Sequence, residues 1–291
     1  MYLVIKKTSQ LDIRSDSVGS LIERGVLEQE QVDRFETAHE EHVKTYNNLI
    51  EELEKHNIEY TEVVRGEKWP EIDNIKAVIT VGGDGTVLEA SHQLENSNVG
   101  LIGVRSSSMS VGYLCYITEK EISGLGRQLK THDVNFVPVE RIYAKVEKRT
   151  GEVITSPPVL NDFLYTNKNP AETTRYVFSF GDEVEVHKSS GIWISTAAGS
   201  TAAAAAAGGK VYPIEHRAFQ FVIREPYCPP GGDDLRKNSE FEPEKNSITI
   251  ENRCESALLA LDGHHGLVEL EMGDRISFER ANKLQIARKS L

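Results

Sequence analysis

Hydrophobic and polar positions follow two patterns along the chain, and the first extends to about residue 130. Four runs rich in apolar and β-branched side chains, typical of buried strands, lie at 2–7, 58–64, 76–81 and 99–104. Between such runs apolar residues recur at every third or fourth position, and this helical pattern covers 28–56 and 119–130. Strands that alternate with helices predict a largely parallel sheet with right-handed crossovers.

The pattern changes near residues 131–138, and shorter alternating stretches follow. They lie at 139–147, 153–165, 174–180, 182–187, 192–195, 218–224, 246–250, 256–261 and 267–270. Turn residues such as Thr150-Gly151 and Asp262-Gly263 separate them, which is typical of an antiparallel sandwich or barrel. The predicted fold class is therefore α/β plus all-β. An N-terminal Rossmann-like α/β domain is expected over 1–135 and a C-terminal β-sandwich-like domain over 136–273.

One segment of small residues, 195–209, interrupts the alternating pattern. Its middle, 202–207, is entirely alanine, and Gly208 and Gly209 follow. A low-complexity linker and a helix are both compatible with this composition. Because alanine is the strongest helix former and glycine commonly ends a helix, we predict a short buried helix whose N-terminus faces the ligand cleft.

Composition and charge narrow the classes of function. The 291 residues are enough for about two domains. A formal net charge of −12 argues against a general binder of nucleic acid or of an anionic membrane, since both need a basic face. An anionic substrate would then be met by backbone N–H groups, a few Arg or Lys side chains and a metal. Three cysteines without a CxxC pair, and no apolar stretch near the roughly 20 residues of a membrane span, predict a reduced, cytoplasmic protein.

The clearest candidate for chemistry is Gly82-Gly83-Asp84-Gly85-Thr86, between the strand pattern at 76–81 and a helical pattern at 87–94. In α/β proteins ligands bind outside the carboxyl ends of strands, where helix N-termini offer free N–H groups to phosphate. Since a carboxylate repels phosphate, Asp84 would act as a base or as the partner of a hydroxyl or metal. A tight turn with a solvated aspartate is the alternative. Residues 105–114, after the next strand, form either a second ligand loop or a plain connection.

Three further motifs follow in order: Leu160-Asn161-Asp162, Ser189-Ser190-Gly191 with 195–202, and Leu261-Asp262-Gly263. Together with the glycine-rich turn, they resemble the NAD kinase family, which phosphorylates the adenosine-ribose 2′-hydroxyl of NAD to form NADP. Phosphofructokinases and lipid kinases have close versions of the turn, but the combination of motifs is specific. Three features look similar to the plant NADH kinase branch: the segment 170–176, the Ser-Ser-Gly motif and Arg224-Glu225-Pro226.

The resemblance implies a role for each matched position. Asp84 is the base that deprotonates the ribose hydroxyl. The turn that faces the phosphates consists of Gly82, Gly83, Gly85 and Thr86. The positions assigned to the dinucleotide are Asn161, Asp162, Ser190, Thr201, Ala202 and Asp262. For a cation at the phosphates we select Arg175, with Lys188 as the second candidate, and an ordinary surface arginine is the alternative.

Departures from the common bacterial pattern concern the nicotinamide end of the substrate. Ser190 stands where common bacterial members have Asp, so the preference between NAD⁺ and NADH is left open. The resemblance implies an ATP-dependent NAD(H) kinase that uses Mg²⁺ with ATP, has no protein metal site and forms a homodimer or homotetramer. It also implies that the domain at 136–273 binds the dinucleotide and that 274–291 returns to the N-terminal domain. A lipid or sugar kinase of the same superfamily and a non-catalytic dinucleotide-binding sensor are the alternatives.

Overall fold

A computed structural model of the chain describes residues 1–14, 17–71, 75–94, 98–228 and 237–289. The chain divides into two units, called here the first and the second. The first unit comprises Met1–Val137 and Gln285–Leu291, and the second comprises Pro138–Leu284. The assignment of dinucleotide binding to 136–273 stays a prediction.

The first unit alternates strands with helices. Its strands are β1 (Tyr2–Lys6), β2 (Tyr60–Val64), β3 (Ala77–Gly82), β4 (Gly100–Arg105) and β5 (Ile117–Thr118). Its helices are α1 (Gln10–Arg14), α2 (Val18–Glu23), α3 (Gln29–Lys55), α4 (Asp84–Gln93) and α5 (Leu125–Thr131), with a 3-10 turn at Glu119–Gly124.

The sheet of the first unit is parallel, in the order β2-β1-β3-β4. Every residue of β3 is buried, as its nearly continuous apolar run predicts. Helix α3 begins at a reciprocal capping box between Glu28 and Gln31, and its apolar stripe, including Leu49, joins the core under β3. Near the end of the chain, Ile286 adds a parallel pair with Leu101 of β4. The predicted parallel α/β fold and its long helix are confirmed.

The second unit is built almost entirely of strands. They are β6 (Phe136–Glu147), β7 (Val153–Thr155), β8 (Asp162–Asn167), β9 (Thr174–Phe180), β10 (Glu183–Ser189), β11 (Gly191–Ser195), β12 (Phe219–Arg224), β13 (Asn238–Phe241), β14 (Ile248–Asn252), β15 (Ser256–Leu261), β16 (Gly266–Glu271) and β17 (Arg275–Ala287), whose last residues belong to the first unit. Among the described residues of this unit there is one short helix, α6 (Ala203–Ala206), which follows a 3-10 turn at Ala198–Thr201. Within the described ranges, no helix is long and apolar enough to cross a membrane.

Two sheets enclose the core of the second unit. One has the order β10-β9-β14-β17, with β6 paired to β17 and β7, and the other has the order β13-β12-β11-β8-β15-β16. Aromatic rings from the two sheets meet between them. The ring centroids of Phe178 and Phe221 are 4.8 Å apart, and those of Phe163 and Phe278 are 5.5 Å apart. The predicted β-sandwich-like fold is therefore confirmed.

The segment of small residues differs from its prediction as a short buried helix. The buried part is the 3-10 turn, and Ala204 is the one buried residue of α6. Gly208, with φ of +90°, ends the helix, and alanine side chains bury too little apolar area to hold a longer one against a core. The prediction of 153–165 as one stretch was also wrong, because Pro157-Pro158 lies between β7 and β8.

Candidate active site

The glycine-rich turn lies at the carboxyl end of β3, where Gly83 is extended and Asp84 is the first residue of α4. Two of its glycines are required by packing. A Cβ atom at Gly82 would lie 2.1 Å from Oγ1 of Thr86, and one at Gly83 would lie 2.2 Å from Oγ of Ser110. Any larger residue at either position would therefore displace its neighbour.

Gly85 has a different environment in the first turn of α4. The nearest atom to its Cβ position is Nη1 of Arg65, at 3.8 Å. Arg65 follows β2, and its Nε pairs with the carboxylate of Glu89 on α4. The backbone at Gly85 consequently has space in front of it and a guanidinium group beside it.

The carboxylate of Asp84 is held by the loop that follows β4. The backbone N–H of Leu114 donates to Oδ1 at 2.7 Å, and the N–H of Tyr113 donates to Oδ2 at 3.1 Å. The carbonyl oxygen of Tyr113 in turn accepts a bond from Nη1 of Arg288 at 2.7 Å. An ionised carboxylate has about four lone-pair sites, so two bonds fix its orientation and leave sites for a substrate hydroxyl. Sequence reasoning had no local signal for this contact.

Asp262 holds the Asn161 turn in a similar way. Its Oδ2 accepts the N–H of Leu160 at 3.0 Å, and its Oδ1 accepts the N–H groups of Asn161 at 2.7 Å and Asp162 at 3.0 Å. The residue is 5% exposed and has φ of 44° in the left-handed region. Asp262 therefore positions the turn that precedes β8.

Asn161 and Asp162 present two buried polar groups at this turn. The Oδ1 atom of Asn161 is buried and has no hydrogen-bond partner within the described part of the chain. Asp162 is 5% exposed, and its burial, followed by the charge of Asp262, raises the pKa of its carboxyl to about 7. A buried acceptor without a partner costs stability, so the Asn161 amide is suited to receive a donor from a ligand.

The 3-10 turn packs directly on Asn161. A Cβ atom at Gly199 would lie 2.2 Å from the carbonyl oxygen of Asn161, and the N–H of Thr196 donates to the same oxygen at 2.9 Å. Thr201 ends this turn and Ala202 follows it, and both residues are exposed. Five of the six positions assigned to the dinucleotide by sequence are thus close together, because each lies in the Asn161 turn, bonds to it, or belongs to or follows the 3-10 turn that packs on it. They are Asn161, Asp162, Thr201, Ala202 and Asp262.

Arg175 and Ser190 lie towards the other end of the same sandwich. The N–H of Asn167, at the end of β8, bonds to Oγ1 of Thr174, and Oγ1 of Thr166 donates to the carbonyl oxygen of Ser190 at 3.1 Å. Along β8 these contacts, at Thr166 and Asn167, lie about 13–17 Å from Asp162, at roughly 3.3 Å per residue. Arg175 is exposed and stands opposite Lys188 across the ladder between β9 and β10. The roles assigned to Arg175 and Ser190 stay predictions.

Known proteins resemble the chain in both sequence and fold. A family model described as the ATP-NAD kinase N-terminal domain matches residues 21–134. The NADH kinase of Arabidopsis thaliana is 31% identical over 268 residues, covering 81% of this chain and 81% of that protein. The probable NADH kinase of Oryza sativa subsp. japonica is 29% identical over 257 residues, covering 81% and 77%.

Two solved structures share the fold. The yeast NADH kinase complexed with NADH superposes with a TM-score of 0.70 at 16% identity, covering 99% of this chain and 84% of that one. The NAD kinase from Archaeoglobus fulgidus in complex with ATP gives 0.68 at 16% identity, covering 99% and 94%. The matched family model and the kinase relatives define the class as a phosphotransferase. The chain belongs to the NAD kinase family, and the resemblance found in its motifs is confirmed.

Proposed function

We propose that the protein is an NAD(H) kinase, which transfers the γ-phosphoryl group of ATP to the 2′-hydroxyl of the adenosine ribose. One observation carries the proposal. The Asp84 carboxylate lies at the start of α4, oriented by the N–H groups of Tyr113 and Leu114, in a member of the NAD kinase family. An oriented carboxylate beside a phosphate-binding turn is what the activation of a ribose hydroxyl requires.

The proposed step forms one bond and breaks another. The ribose O2′ attacks the γ-phosphorus, the bond between that phosphorus and the β–γ bridging oxygen breaks, and ADP leaves. The hydroxyl proton passes to the carboxylate of Asp84 and then to water. A positioned base of this kind contributes roughly 10²–10⁴-fold to the rate. The remaining barrier is lowered by positioning and by neutralisation of charge on the phosphates.

Magnesium enters with the nucleotide in this proposal. Among the residues that the structure describes, no group of three or more His, Cys, Asp or Glu side chains could hold a metal ion. The phosphates of ATP are hard oxygen donors of the type that Mg²⁺ prefers. Mg²⁺ would neutralise charge on the β- and γ-phosphates, while the chain orients the nucleotide around it.

The Asn161 turn is proposed to bind the adenosine half of the dinucleotide. The Oδ1 atom of Asn161, which accepts no hydrogen bond from the described residues, would accept a donor from the nucleoside, and Asp162 would bond a ribose hydroxyl. Thr201 and Ala202 would border the adenine. We assign Ser190 to binding the nicotinamide half of the dinucleotide and Arg175 to binding the phosphates. A homodimer or homotetramer in the cytoplasm completes the proposal, on the basis of the family resemblance.

The test is direct. The purified protein is incubated with MgATP and either NAD⁺ or NADH, and the NADP(H) formed is measured with an NADP-specific dehydrogenase. Parallel reactions replace ATP by polyphosphate, and the dinucleotide by a diacylglycerol or a hexose. Formation of NADP(H) supports the proposal. Phosphorylation of the lipid or sugar alone, or tight dinucleotide binding without any product, would replace it by one of the two alternatives.

A further inference from the structure

The segment that follows α6 forms no strand, so its backbone polar groups need partners outside a sheet. Residues 209–213 belong to neither a helix nor a strand. Gly209 donates its N–H to the carbonyl oxygen of Ala204 at 2.8 Å, which closes α6. At Lys210 the N–H and the carbonyl group both bond to one side chain, that of Gln220 on β12. The amide of Gln220 therefore stands where a neighbouring strand would otherwise be needed.

Both polar atoms of the Gln220 side chain are used in this contact. Its Oε1 accepts the N–H of Lys210 at 2.9 Å, and its Nε2 donates to the carbonyl oxygen of Lys210 at 2.8 Å. Only one orientation of the amide meets both groups, since its oxygen must face the donor and its nitrogen the acceptor. Gln220 is 2% exposed, and a Cβ atom at Gly209 would lie 2.8 Å from its Oε1. This contact between Gln220 and Lys210, called here the Gln220 clamp, is therefore closely packed and shielded from water.

Two residues beyond the Gln220 clamp, the same segment bonds to the 3-10 turn at Ala198–Thr201. The N–H of Tyr212 donates to Oγ of Ser200 at 2.9 Å, and that hydroxyl donates to the carbonyl oxygen of Ala197 at 2.7 Å. Ser200 is fully buried, so its hydroxyl depends on these partners instead of water. The hydroxyl of Ser200 thus joins the clamped segment to the first residues of the turn.

A second connection to the same turn runs through the strands. Gln220 lies opposite Ser195 in the antiparallel ladder between β11 and β12. Ser195 directly precedes Thr196, whose N–H bonds to the carbonyl oxygen of Asn161 at 2.9 Å. The Gln220 clamp, the 3-10 turn and the Asn161 turn therefore belong to one connected set of contacts within the second unit.

We propose that Gln220 is a positioning residue for dinucleotide binding, because it holds the segment that keeps the 3-10 turn against Asn161. This inference rests on the proposed function, which assigns Asn161, Thr201 and Ala202 to the adenosine half of the dinucleotide. Gln220 is buried and both its polar atoms are occupied, so it acts through the turn and not by touching the ligand. Without the clamp the turn would populate other arrangements, and NAD(H) would have to order it on binding.

The first experiment measures affinity without turnover. NAD⁺ and NADH are titrated into the full-length protein by calorimetry, and the wild type is compared with Gln220→Met, which removes the amide and keeps the length of the side chain. If the binding-competent arrangement of the turn falls to about a tenth of the molecules, the dissociation constant should rise about tenfold. Equal dissociation constants in Gln220→Met and the wild type would overturn the proposal.

Asn252→Leu is the matched control. Asn252 is a fully buried amide on β14, and it bonds to the backbone of Cys254 in the same way as Gln220 bonds to Lys210. Its Oδ1 accepts the N–H of Cys254 at 2.9 Å, and its Nδ2 donates to the carbonyl oxygen at 3.1 Å. The control should lose stability in urea unfolding without a change in the dissociation constant for NAD(H). An equal rise in both variants would overturn the proposal.

A double-mutant cycle with Ser200→Ala tests whether Gln220 acts through the clamped segment. Ser200→Ala removes the acceptor of the Tyr212 N–H, so it releases the same segment from the turn. The rise in the dissociation constant of the double variant should therefore be smaller than the product of the two single rises. A rise equal to that product would overturn the proposal. Since Ser200→Ala loses one oxygen atom only, its own rise in the dissociation constant tests the same connection if Gln220→Met fails to fold.

Steady-state kinetics separate this inference from the proposed function. Gln220→Met should raise KM for NAD(H) about tenfold, while kcat at saturation and KM for MgATP stay close to the wild-type values. A fall in kcat with an unchanged KM for NAD(H) would contradict a positioning role. Dinucleotide binding that depends on Gln220, without any NADP(H) formation by the wild type, would reject the proposed function and keep the role of Gln220. Normal turnover with an affinity that is independent of Gln220 would do the reverse.

Discussion

Two aspartates, one in each unit, each hold a turn by accepting backbone N–H groups. Asp84 accepts the backbone N–H groups of two consecutive residues, and Asp262 accepts those of three. The two carboxylates differ in how far they are buried. Asp84 is only partly buried, whereas Asp262 is 5% exposed and both its oxygens face backbone donors. The two aspartates therefore differ in burial and in the number of backbone N–H groups that they accept, and we propose that these differences separate a catalytic aspartate from one that only holds a turn.

The largest effect is expected for Asp84→Asn. The amide cannot accept the ribose proton, so kcat should fall by roughly 10²–10⁴-fold while the dissociation constant for NAD(H) changes little. Rapid-quench or coupled assays give the rate, and calorimetry gives the affinity. If the variant kept full activity, Asp84 would not be the base and would only hold its loop, as Asp262 holds the Asn161 turn.

A pH-dependent effect is expected from Asp162. Because its pKa is raised to about 7, the native state holds a proton that the unfolded chain releases near pH 4. The contribution of this group to stability is therefore complete below pH 4 and is lost as the pH rises to 7, at about 1.4 kcal/mol per pH unit. Asp162→Asn removes the titration. In urea unfolding at several pH values, the free energy of unfolding of the wild type should fall relative to that of the variant between pH 4 and pH 7. A difference that stays constant with pH would contradict the assignment.

The sequence predicted most of the fold because local patterns determine most of it. The helix predicted over 28–56 is Gln29–Lys55, and its start is fixed by a capping box that the sequence contains. Strand β13, Asn238–Phe241, was not predicted, because its polar residues carry no alternating pattern and its pairing with β12 is a tertiary contact. The burial of the turn at Ala198–Thr201 likewise depends on Asn161, far away in the chain.

The site was predictable in its motifs and not in its contacts. Motif spacing located Asp84, Asn161 and Asp262, whose roles stay predictions. Their hydrogen bonds join residues that are distant in sequence, as between Asp262 and Asn161, so no local pattern could indicate which carboxylate is occupied by backbone donors. The position of the end of β1 beside the glycine-rich turn likewise follows only from the strand order.

A smaller effect should follow from Asp262→Asn. The amide presents one acceptor oxygen where the carboxylate has two, so at least one backbone N–H of the turn loses its partner, at a cost of about 1–3 kcal/mol. If Asp262 positions the turn, KM for NAD(H) should also rise while kcat at saturation is largely kept. Comparing the two single variants then distinguishes the roles: Asp262→Asn should raise KM for NAD(H), whereas Asp84→Asn should lower kcat.

Asp274→Asn is the matched control for that variant. Asp274 is buried like Asp262, accepts the backbone N–H groups of Arg149 and Glu271, and pairs with Lys148. Its replacement should cost similar stability in urea unfolding without raising KM for NAD(H). If the two variants changed KM equally, the effect at Asp262 would reflect general destabilisation.

The smallest effect on stability is expected at Gly85 in the glycine-rich turn, which can be compared with Gly199 in the 3-10 turn. Gly85→Ala meets no atom closer than 3.8 Å and adds a better helix former to α4, so the free energy of unfolding should change by less than about 1 kcal/mol. Gly199→Ala places a methyl group 2.2 Å from the carbonyl oxygen of Asn161 and should cost about 1–3 kcal/mol. If phosphates approach the backbone at Gly85, its variant should nevertheless raise KM for MgATP, whereas Gly199→Ala should raise KM for NAD(H). An unchanged KM for MgATP in a stable Gly85→Ala protein would show that the open side of this turn does not contact the nucleotide.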